Sequence, residues 1–212
     1  MNGNVIGISG VRVRFGELPA LRDVSLTVAE GEIYAVLGRP GAGKTTLLEV
    51  AAGLRRPEAG TAGRRDGARW AAVWAEGGLF PGLTVAEVVD TWRHWTSDPL
   101  PRDEALGATG LTALLDTPFE LLSRGQKRRL DLSLAMLGRP EVLFLDEPTA
   151  GFGATSTNWI WSALWSLAAN GVTVMLATSD PRDACRANRH DLLAEGRLLP
   201  AGALNLDRFY AA

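Results

Sequence analysis

The sequence predicts an α/β fold in which a mostly parallel sheet is divided by a long helical insert. Three apolar runs indicate buried strands of that sheet, at residues 32–38, 141–146 and 172–177. Each run is followed by a turn and then by a helical pattern, the order expected when helices connect parallel strands. Residues 84–138, between the first two runs, are mostly helical by period, with a break at "SDPLPRD".

The N-terminal third adds shorter strands of a different kind. "VRVRF" at 11–15 and "VSLTV" at 24–28 alternate polar and apolar residues, which is typical of half-buried strands. Residues 55–68 are turn-rich and charged, so we expect a surface loop there. "WAAVW" at 70–74 indicates one more short strand.

A long uncharged stretch at 148–179 has two interpretations. Its length is sufficient for a membrane span. Asn170 and Gly171 interrupt it, however, and Ser, Thr and Asn are scattered through it. We therefore expect a buried helix at about 155–169 followed by the buried strand at 172–177.

Composition places the chain among ordinary globular proteins with a sizeable core. Of its 212 residues, 46% are hydrophobic and 22% charged, and the net charge is −2. That balance shows no basic excess that would favour nucleic acid as a partner. Cys185 is the only cysteine, so an internal disulfide is excluded and a reducing compartment is expected. The first ten residues lack the basic and apolar regions of a signal peptide, so we expect none.

"GRPGAGKT", residues 38–45, matches the phosphate-binding pattern G-x-x-x-x-G-K-[ST] between a predicted strand and a predicted helix. Glycines let the backbone wrap a phosphate chain, and the helix N-terminus adds a favourable dipole. Lys44, one of only two lysines, is expected to reach the β- and γ-phosphates, and the Thr45 hydroxyl to ligate Mg²⁺. The predicted nucleotide contacts here are Gly38, Arg39, Pro40, Gly41, Ala42, Gly43, Lys44, Thr45 and Thr46.

"VLFLDEP", residues 142–148, places two carboxylates at the end of a buried strand. Asp146 is predicted to hold Mg²⁺ through water, and Glu147 to polarise the water that attacks the terminal phosphate. Buried carboxylates without partners are costly, so such a strand end needs a use for both acids.

"LLSRGQKRRLDLSLAML", residues 121–137, resembles the signature motif of the ABC transporter ATPases, usually L-S-G-G-Q. Ser123 is a good N-cap for the helix that follows. "LFPGLTVAEVV" at 79–89 is similar to the segment that opens this family's helical subdomain. The resemblance covers about residues 5–200.

The resemblance implies an ABC-type nucleotide-binding domain, with N-terminal antiparallel strands, a mostly parallel core sheet and an inserted α-helical subdomain. On that basis residues 1–212 form one domain. Its ATP-binding core spans about 1–75 and 140–212, and its helical subdomain about 76–139.

In this family two ATP-binding domains enclose two ATP molecules between them. The resemblance implies that Ser123, Gly125 and Gln126 contact ATP held by the partner subunit, and that Phe15 stacks on adenine. The alternative for Phe15 is a core aromatic. A second ATPase subunit, identical or different, and a transmembrane permease are the implied partners, which would place the chain on the cytoplasmic face of the cell membrane.

Three positions depart from the family pattern. Ser179 stands where the family has a histidine that contacts the γ-phosphate, and Ala75 stands where it has a glutamine. Gly153 replaces the aspartate that communicates across the dimer. Ser179 can still donate one neutral hydrogen bond to the nucleotide, but it carries no positive charge. We therefore expect strong MgATP binding and slow hydrolysis.

The predicted function is the energy-coupling ATPase subunit of an ABC transporter, with a lean toward export. The alternative is a regulatory or structural subunit that binds ATP with little turnover beside a more active partner. We expect the permease to dock in a groove near residues 76–95, where Trp92 and Trp95 contribute if they are not core residues. Trp161 and Trp165 share a helix face. Core packing is their expected role, and a surface that contacts a partner is the alternative.

Overall fold

The computed structural model describes residues 3–200, which form a three-stranded antiparallel sheet, a six-stranded sheet and a set of helices. This arrangement confirms the predicted fold class. The part of the predicted domain at 201–212 lies outside the described residues. The strands are β1 Asn4–Phe15, β2 Leu18–Ala29, β3 Ile33–Leu37, β4 Ala59–Arg64, β5 Trp70–Val73, β6 Val142–Asp146, β7 Thr173–Thr178, β8 Arg189–Ala194 and β9 Arg197–Pro200. The helices are α1 Lys44–Ala51, α2 Val85–Trp95, α3 Arg102–Ala108, α4 Arg124–Met136, α5 Ala154–Ala169 and α6 Pro181–Ala184, with 3-10 turns at Thr112–Leu114 and Phe119–Leu121.

The six-stranded sheet has the order β5-β6-β7-β3-β8-β9 and is parallel except where β9 pairs with β8. β3, β6 and β7 are buried along their whole length, as their continuous apolar sequences predict. Both faces of the sheet are covered. Ile33 packs into a cluster with α5 and the helical insert, whereas Tyr34 packs into a cluster with α1, β1 and β2.

The three central strands end at the same edge of the sheet. Leu37 pairs with Thr178, and Asp146 pairs with Ala177, so the segments that follow β3, β6 and β7 emerge side by side. Backbone hydrogen bonds continue the alignment past the strand ends, because Gly38 N–H donates to the Thr178 carbonyl at 3.1 Å. Parallel topology therefore brings together residues that are more than a hundred positions apart in sequence.

The small sheet has the order β2-β1-β4 and corrects one expectation. Residues 55–68 were expected to form a loop, but β4 lies within them and pairs antiparallel with β1. Most of its residues are exposed, so it lacks the apolar alternation that identifies a strand from sequence. A side chain at Gly60 would collide with the backbone carbonyls of Ser9 and Gly10, so close backbone pairing, which glycine permits, holds this strand.

The helical insert lies between β5 and β6 and contains α2, α3 and α4. A capping box formed by Thr84 and Glu87 starts α2, and the predicted break separates α2 from α3. Buried residues of all three helices belong to the same apolar cluster as one face of the large sheet. The subdomain limits of about 76–139 stay a prediction.

The uncharged stretch at 148–179 forms α5 and β7 with a turn at Asn170 and Gly171, as expected. Residues 3–200 contain no helix that is both long and apolar enough to cross a membrane. The expected packing of the tryptophans on α5 is correct for Trp161, which is buried, and wrong for Trp165, which is 42% exposed. The two residues are four apart, but only one edge of their shared face meets the core.

Candidate nucleotide-binding site

The predicted phosphate loop, residues 38–45, connects the end of β3 to the start of α1. Gly43 caps α1 with a φ of 100°, in the left-handed region that glycine tolerates. A Cβ there would lie 2.5 Å from the Ala20 carbonyl oxygen, and a Cβ at Gly38 would lie 2.7 Å from the Leu193 carbonyl oxygen. Both positions therefore require glycine. The first backbone amides of α1 have no partner inside the helix and are available to an anion.

The remaining loop residues divide into an exposed tip and a buried start of the helix. Arg39, Pro40 and Gly41 are exposed, and the Ala42 N–H donates to the Arg39 carbonyl at 3.1 Å. Thr46 is buried on α1. Pro40 brings no amide hydrogen to the tip, so the donors lie nearer the helix.

Lys44 is buried and donates to three oxygens. Its Nζ lies 2.7 Å from the Gly38 carbonyl and 3.1 Å from the Arg39 carbonyl. It also forms an ion pair with Glu147 Oε1 at 3.1 Å. An ammonium group has three donors, so all of them are used. A phosphate that accepts a hydrogen bond from Lys44 must displace at least one of these partners.

Thr45 and Asp146 form the predicted metal-ligand pair. The Thr45 hydroxyl donates to Asp146 Oδ2 at 2.8 Å. Asp146 Oδ1 is buried and has no hydrogen-bond partner among the described residues. Burial raises the pKa of the Asp146 carboxyl, although its bond from Thr45 lowers it. A hydroxyl and a carboxylate with one unsatisfied oxygen fit the ligand preference of Mg²⁺.

Glu147 lies directly after β6 with a φ of 47°, an uncommon backbone conformation for a residue other than glycine. Its amide donates to the Ala177 carbonyl at 2.9 Å, which ties it to the end of β7. One carboxylate oxygen pairs with Lys44. The other, Oε2, accepts from the Ser179 amide at 3.0 Å and from the Ser179 hydroxyl at 3.2 Å. A strained backbone held in place by such contacts is typical of functional sites.

Ser179 therefore contacts the candidate base directly, through two donors. Both residues line a cleft of about 600 Å³ between the segment after β6 and the segment after β7. The phosphate contact that the sequence predicts for Ser179 stays a prediction. Its contact with Glu147 was not predicted, because sequence spacing gives no measure of the distance between two strand ends.

The signature residues start α4 as predicted. The Ser123 hydroxyl accepts from the Gln126 amide at 3.3 Å, and the Gln126 side chain accepts from the Ser123 amide at 2.7 Å. Arg124 lies against Gly151, and Gly125 lies close to Ser156. These contacts place the signature beside the segment that follows Glu147 and beside the first turn of α5.

Phe15 is 49% exposed at the end of β1, which excludes the alternative that it is a core aromatic. The Arg55 guanidinium lies over one face of its ring, 4.7 Å from the centroid. Arg55 Nε also forms an ion pair with Glu49 Oε2 at 2.6 Å. Stacking of a base on Phe15 would therefore use the other face or displace Arg55.

Arg128 is a site residue that the sequence did not identify. It is buried on α4, where it donates to the backbone carbonyls of Trp74 and Asp146 and so links the ends of β5 and β6. Burial lowers the pKa of its guanidinium. In the sequence it is one of three consecutive basic residues, a pattern that usually indicates a solvated surface.

Asp183 was also missed. This buried carboxylate accepts from the Thr149 hydroxyl and from Trp161 Nε1, the latter at 2.8 Å. It connects α6, α5 and the segment after Glu147 in one network. An acidic residue in the first turn of a short helix gives no sequence signal of such burial.

A second concave surface lies beside the helical insert and is called the groove here. It encloses about 540 Å³. Phe80 and Trp92 both line it and pack edge to face, with their ring centroids 5.4 Å apart. Burial raises the pKa of the Asp131 carboxyl, which accepts from the Gly78 amide at 3.3 Å. The groove is lined by residues 71–74, 76–80, Trp92, Thr96, Asp131, Leu134, Ala135 and Gly138.

Comparison with known sequences identifies relatives that this chain matches over most of its own length. A family model described as ABC transporter matches residues 21–150. The cobalt import ATP-binding protein CbiO of Rhodobacter capsulatus is 36% identical over 208 residues, which cover 89% of this chain and 74% of that protein. The cytochrome c biogenesis ATP-binding export protein CcmA of Gluconobacter oxydans is 34% identical over 190 residues, which cover 90% of this chain and 88% of that protein.

Solved structures share the fold. The cbiO1 protein of Clostridium perfringens, part of the ABC transporter complex cbiONQ, has a TM-score of 0.81 at 26% identity, covering 99% of this chain and 92% of that one. A dimeric ATP-binding cassette bound to ADP and Pi has a TM-score of 0.78 at 23% identity, covering 91% and 96%. At the latter identity the likeness concerns the fold alone.

Proposed function

This chain belongs to the ABC transporter family as an ATP-binding subunit, and we propose that it drives a separate membrane permease through ATP-dependent closure of a dimer. ATP hydrolysis coupled to transport is the activity expected of this family. One observation carries the assignment of the site: Lys44, Thr45, Asp146 and Glu147 meet at one edge of the sheet.

In this proposal the phosphate chain of ATP lies along the loop at 38–45, and Lys44 donates to its β- and γ-phosphates. Thr45 and Asp146 hold Mg²⁺, Asp146 through water. When bound, Mg²⁺ neutralises charge on the phosphate oxygens. The fit is supported by the unsatisfied Oδ1 of Asp146, which a cation and its water would satisfy.

Glu147 acts as the base. Its carboxylate accepts a proton from the water that attacks the γ-phosphorus, and ADP leaves with the electrons of the broken P–O bond. Ser123, Gly125 and Gln126 contact the nucleotide that the partner subunit holds, and Phe15 stacks on the adenine. Support for the signature assignment comes from the capped start of α4, whose amides can face an anion.

We infer slow hydrolysis at this chain's own site, because Ser179, Ala75 and Gly153 lack the groups that the family uses there. Removing one positioned partner of the transition state typically lowers the rate by about 10²–10³-fold. Ser179 carries no positive charge to stabilise the transferring phosphate, which supports this expectation.

The groove is the proposed docking site of the permease, on the cytoplasmic face of the membrane. Its exposed apolar rim supports this, because Leu79 is 82% exposed and Trp95, in ring contact with Trp92, is 71% exposed.

Named relatives include both an import and an export protein. The proposal includes export as the direction of transport, and import is the alternative.

A second candidate is a subunit that binds ATP and gates the assembly with little turnover. The observation that favours it is the ion pair between Lys44 and Glu147, which occupies the candidate base. Glu147 itself argues for hydrolysis, because clamping ATP alone does not require this acid.

The test is the steady-state ATPase rate of the purified chain, alone and with its membrane partners. We expect slow turnover of the chain alone, a further loss with Glu147→Gln, and faster turnover with Ser179→His. Ser162→His, an exposed position on α5, is the matched control. Rapid turnover of the unaltered homodimer contradicts slow hydrolysis, and ATP binding with no hydrolysis under any condition favours the second candidate.

A further inference from the structure

Glu147 is held at both of its carboxylate oxygens by different kinds of partner. Lys44, a cation of the phosphate loop, pairs with Oε1 at 3.1 Å. Ser179 donates its amide and its hydroxyl to Oε2, at 3.0 and 3.2 Å. The acid is only partly exposed, so these contacts fix its orientation.

The two partners differ in what a bound phosphate does to them. Lys44 already uses its three donors, so phosphate oxygens at the loop compete with Glu147 for this cation. Ser179 has no such competing assignment, because both of its donors point at Oε2. When Lys44 donates to phosphate instead of to Glu147, Ser179 is the partner that keeps Glu147 in place.

Hydrogen bonds between neighbouring segments hold the backbone on both sides of Ser179. The Ala177 carbonyl accepts from the Glu147 amide at 2.9 Å, and the Thr178 hydroxyl accepts from the Asp180 amide at 3.0 Å. Farther along, the buried Asp183 accepts from the Thr149 hydroxyl. The segments on both sides of the contact are therefore bonded to each other.

We infer that Ser179 is a positioning residue that orients the Glu147 carboxylate toward the attacking water, rather than a contact to the γ-phosphate. This inference rests on the proposed function, in which Glu147 is the base. It also gives the serine a task different from the one that the sequence predicts for this position. The amide contact is the shorter one, and the hydroxyl adds a second donor that mutation can remove.

The first experiment compares Ser179→Ala and Ser179→Thr in single-turnover and steady-state ATPase assays. We expect Ser179→Ala to lower kcat about fivefold, the effect of one ordinary hydrogen bond, with KM for ATP changed by less than about twofold. Ser179→Thr keeps the hydroxyl and should retain kcat within about twofold. Ser162→Ala is the control for a serine exposed on α5. A raised KM with unchanged kcat, or a Thr variant as slow as Ala, overturns the inference.

The second experiment combines the change with removal of the acid. If Ser179 acts through Glu147, then Ser179→Ala has no further effect on the single-turnover rate in a Glu147→Ala background. A further loss of about fivefold in that background shows that the serine acts on the nucleotide, and overturns the inference.

A measurement without hydrolysis separates this inference from the proposed function. If no variant hydrolyses ATP, the proposed ATPase role fails. Affinities for fluorescent ATP and ADP analogues with Mg²⁺ still decide the role of Ser179. We expect Ser179→Ala to leave the ratio of the two affinities unchanged, whereas a selective loss of ATP affinity of about fivefold assigns Ser179 to the γ-phosphate. Urea unfolding is then compared for the unaltered chain, Ser179→Ala, Glu147→Ala and the double variant. If the contact exists, the change in unfolding midpoint of the double variant differs from the sum of the two single changes, and if it does not, the changes add.

Discussion

Lys44 Nζ lies 3.1 Å from Glu147 Oε1, so the cation of the phosphate loop and the acid that follows β6 form an ion pair. The pair joins two segments that are 103 residues apart, since 147 minus 44 is 103. It also links the group proposed to bind phosphate to the group proposed to activate water. Loss of either member leaves the other in a largely desolvated place.

The first prediction concerns Lys44. Lys44→Ala should weaken ATP binding by about 10–100-fold, because hydrogen bonds to charged groups are worth about 1.5–3 kcal/mol. Titration with a fluorescent ATP analogue measures this affinity. Lys127→Ala is the matched control, since the only other lysine lies over the Phe119 ring on the helical insert. Equal losses for the two variants would contradict the assignment of Lys44.

The second prediction concerns Asp146. Without Mg²⁺, Asp146→Asn should raise the free energy of unfolding by about 1 kcal/mol, because the unsatisfied buried oxygen then carries less charge. Adding Mg²⁺ and ATP should stabilise the unaltered chain and have little effect on this variant. Thermal unfolding with and without Mg²⁺ provides the measurement. Equal stabilisation of both proteins would remove Asp146 from the metal site.

The third prediction is a pH dependence that comes from Asp131. Burial raises the pKa of this carboxyl in the folded protein, so the folded state binds its proton more tightly than the unfolded state. The contribution of Asp131 to stability is therefore greatest below the unfolded pKa of about 3.9 and falls as pH rises from there through the folded pKa. Asp131→Asn should lack this fall and be more stable than the unaltered chain at neutral pH.

Urea unfolding at pH 4, 5, 6 and 7 tests the Asp131 prediction. Asp66→Asn, a change at an exposed carboxyl, is the control. A difference between Asp131→Asn and the unaltered chain that stays constant with pH would show that the carboxyl does not titrate in this window.

The fourth prediction concerns Arg128. Arg128→Met should lower the free energy of unfolding by about 3 kcal/mol, because two buried carbonyls lose a charged donor. The control is Arg129→Met, since Arg129 lies on the same helix, half-buried over the Trp159 ring. Urea denaturation measures both. A loss below about 1 kcal/mol for Arg128→Met would mean that the link between β5 and β6 adds little.

The fifth prediction compares two tryptophans of one helix. Trp161→Phe should cost about 1–2 kcal/mol, because the buried Asp183 loses a hydrogen-bond donor. Trp165→Phe should change stability by less than about 0.5 kcal/mol, because that ring is largely at the surface. Thermal unfolding of the two variants gives the comparison, and the reverse order would contradict the role of the Asp183 network.

The sequence by itself determined the parts that depend on local pattern. Continuous apolar runs predicted β3, β6 and β7, because a strand covered on both faces has no polar side. Glycine spacing predicted the phosphate loop, and the N-cap preference of serine predicted the start of α4 at Ser123.

Only the tertiary structure decided which distant groups meet. β4 forms because backbone pairing with β1 replaces the apolar pattern that it lacks. Ser179 contacts Glu147 because parallel pairing aligns the ends of β6 and β7. Arg128 bridges two strand ends because α4 packs against β5. Such contacts depend on strand order and register across the sheet, and these are set by the packing of the whole core rather than by any one segment.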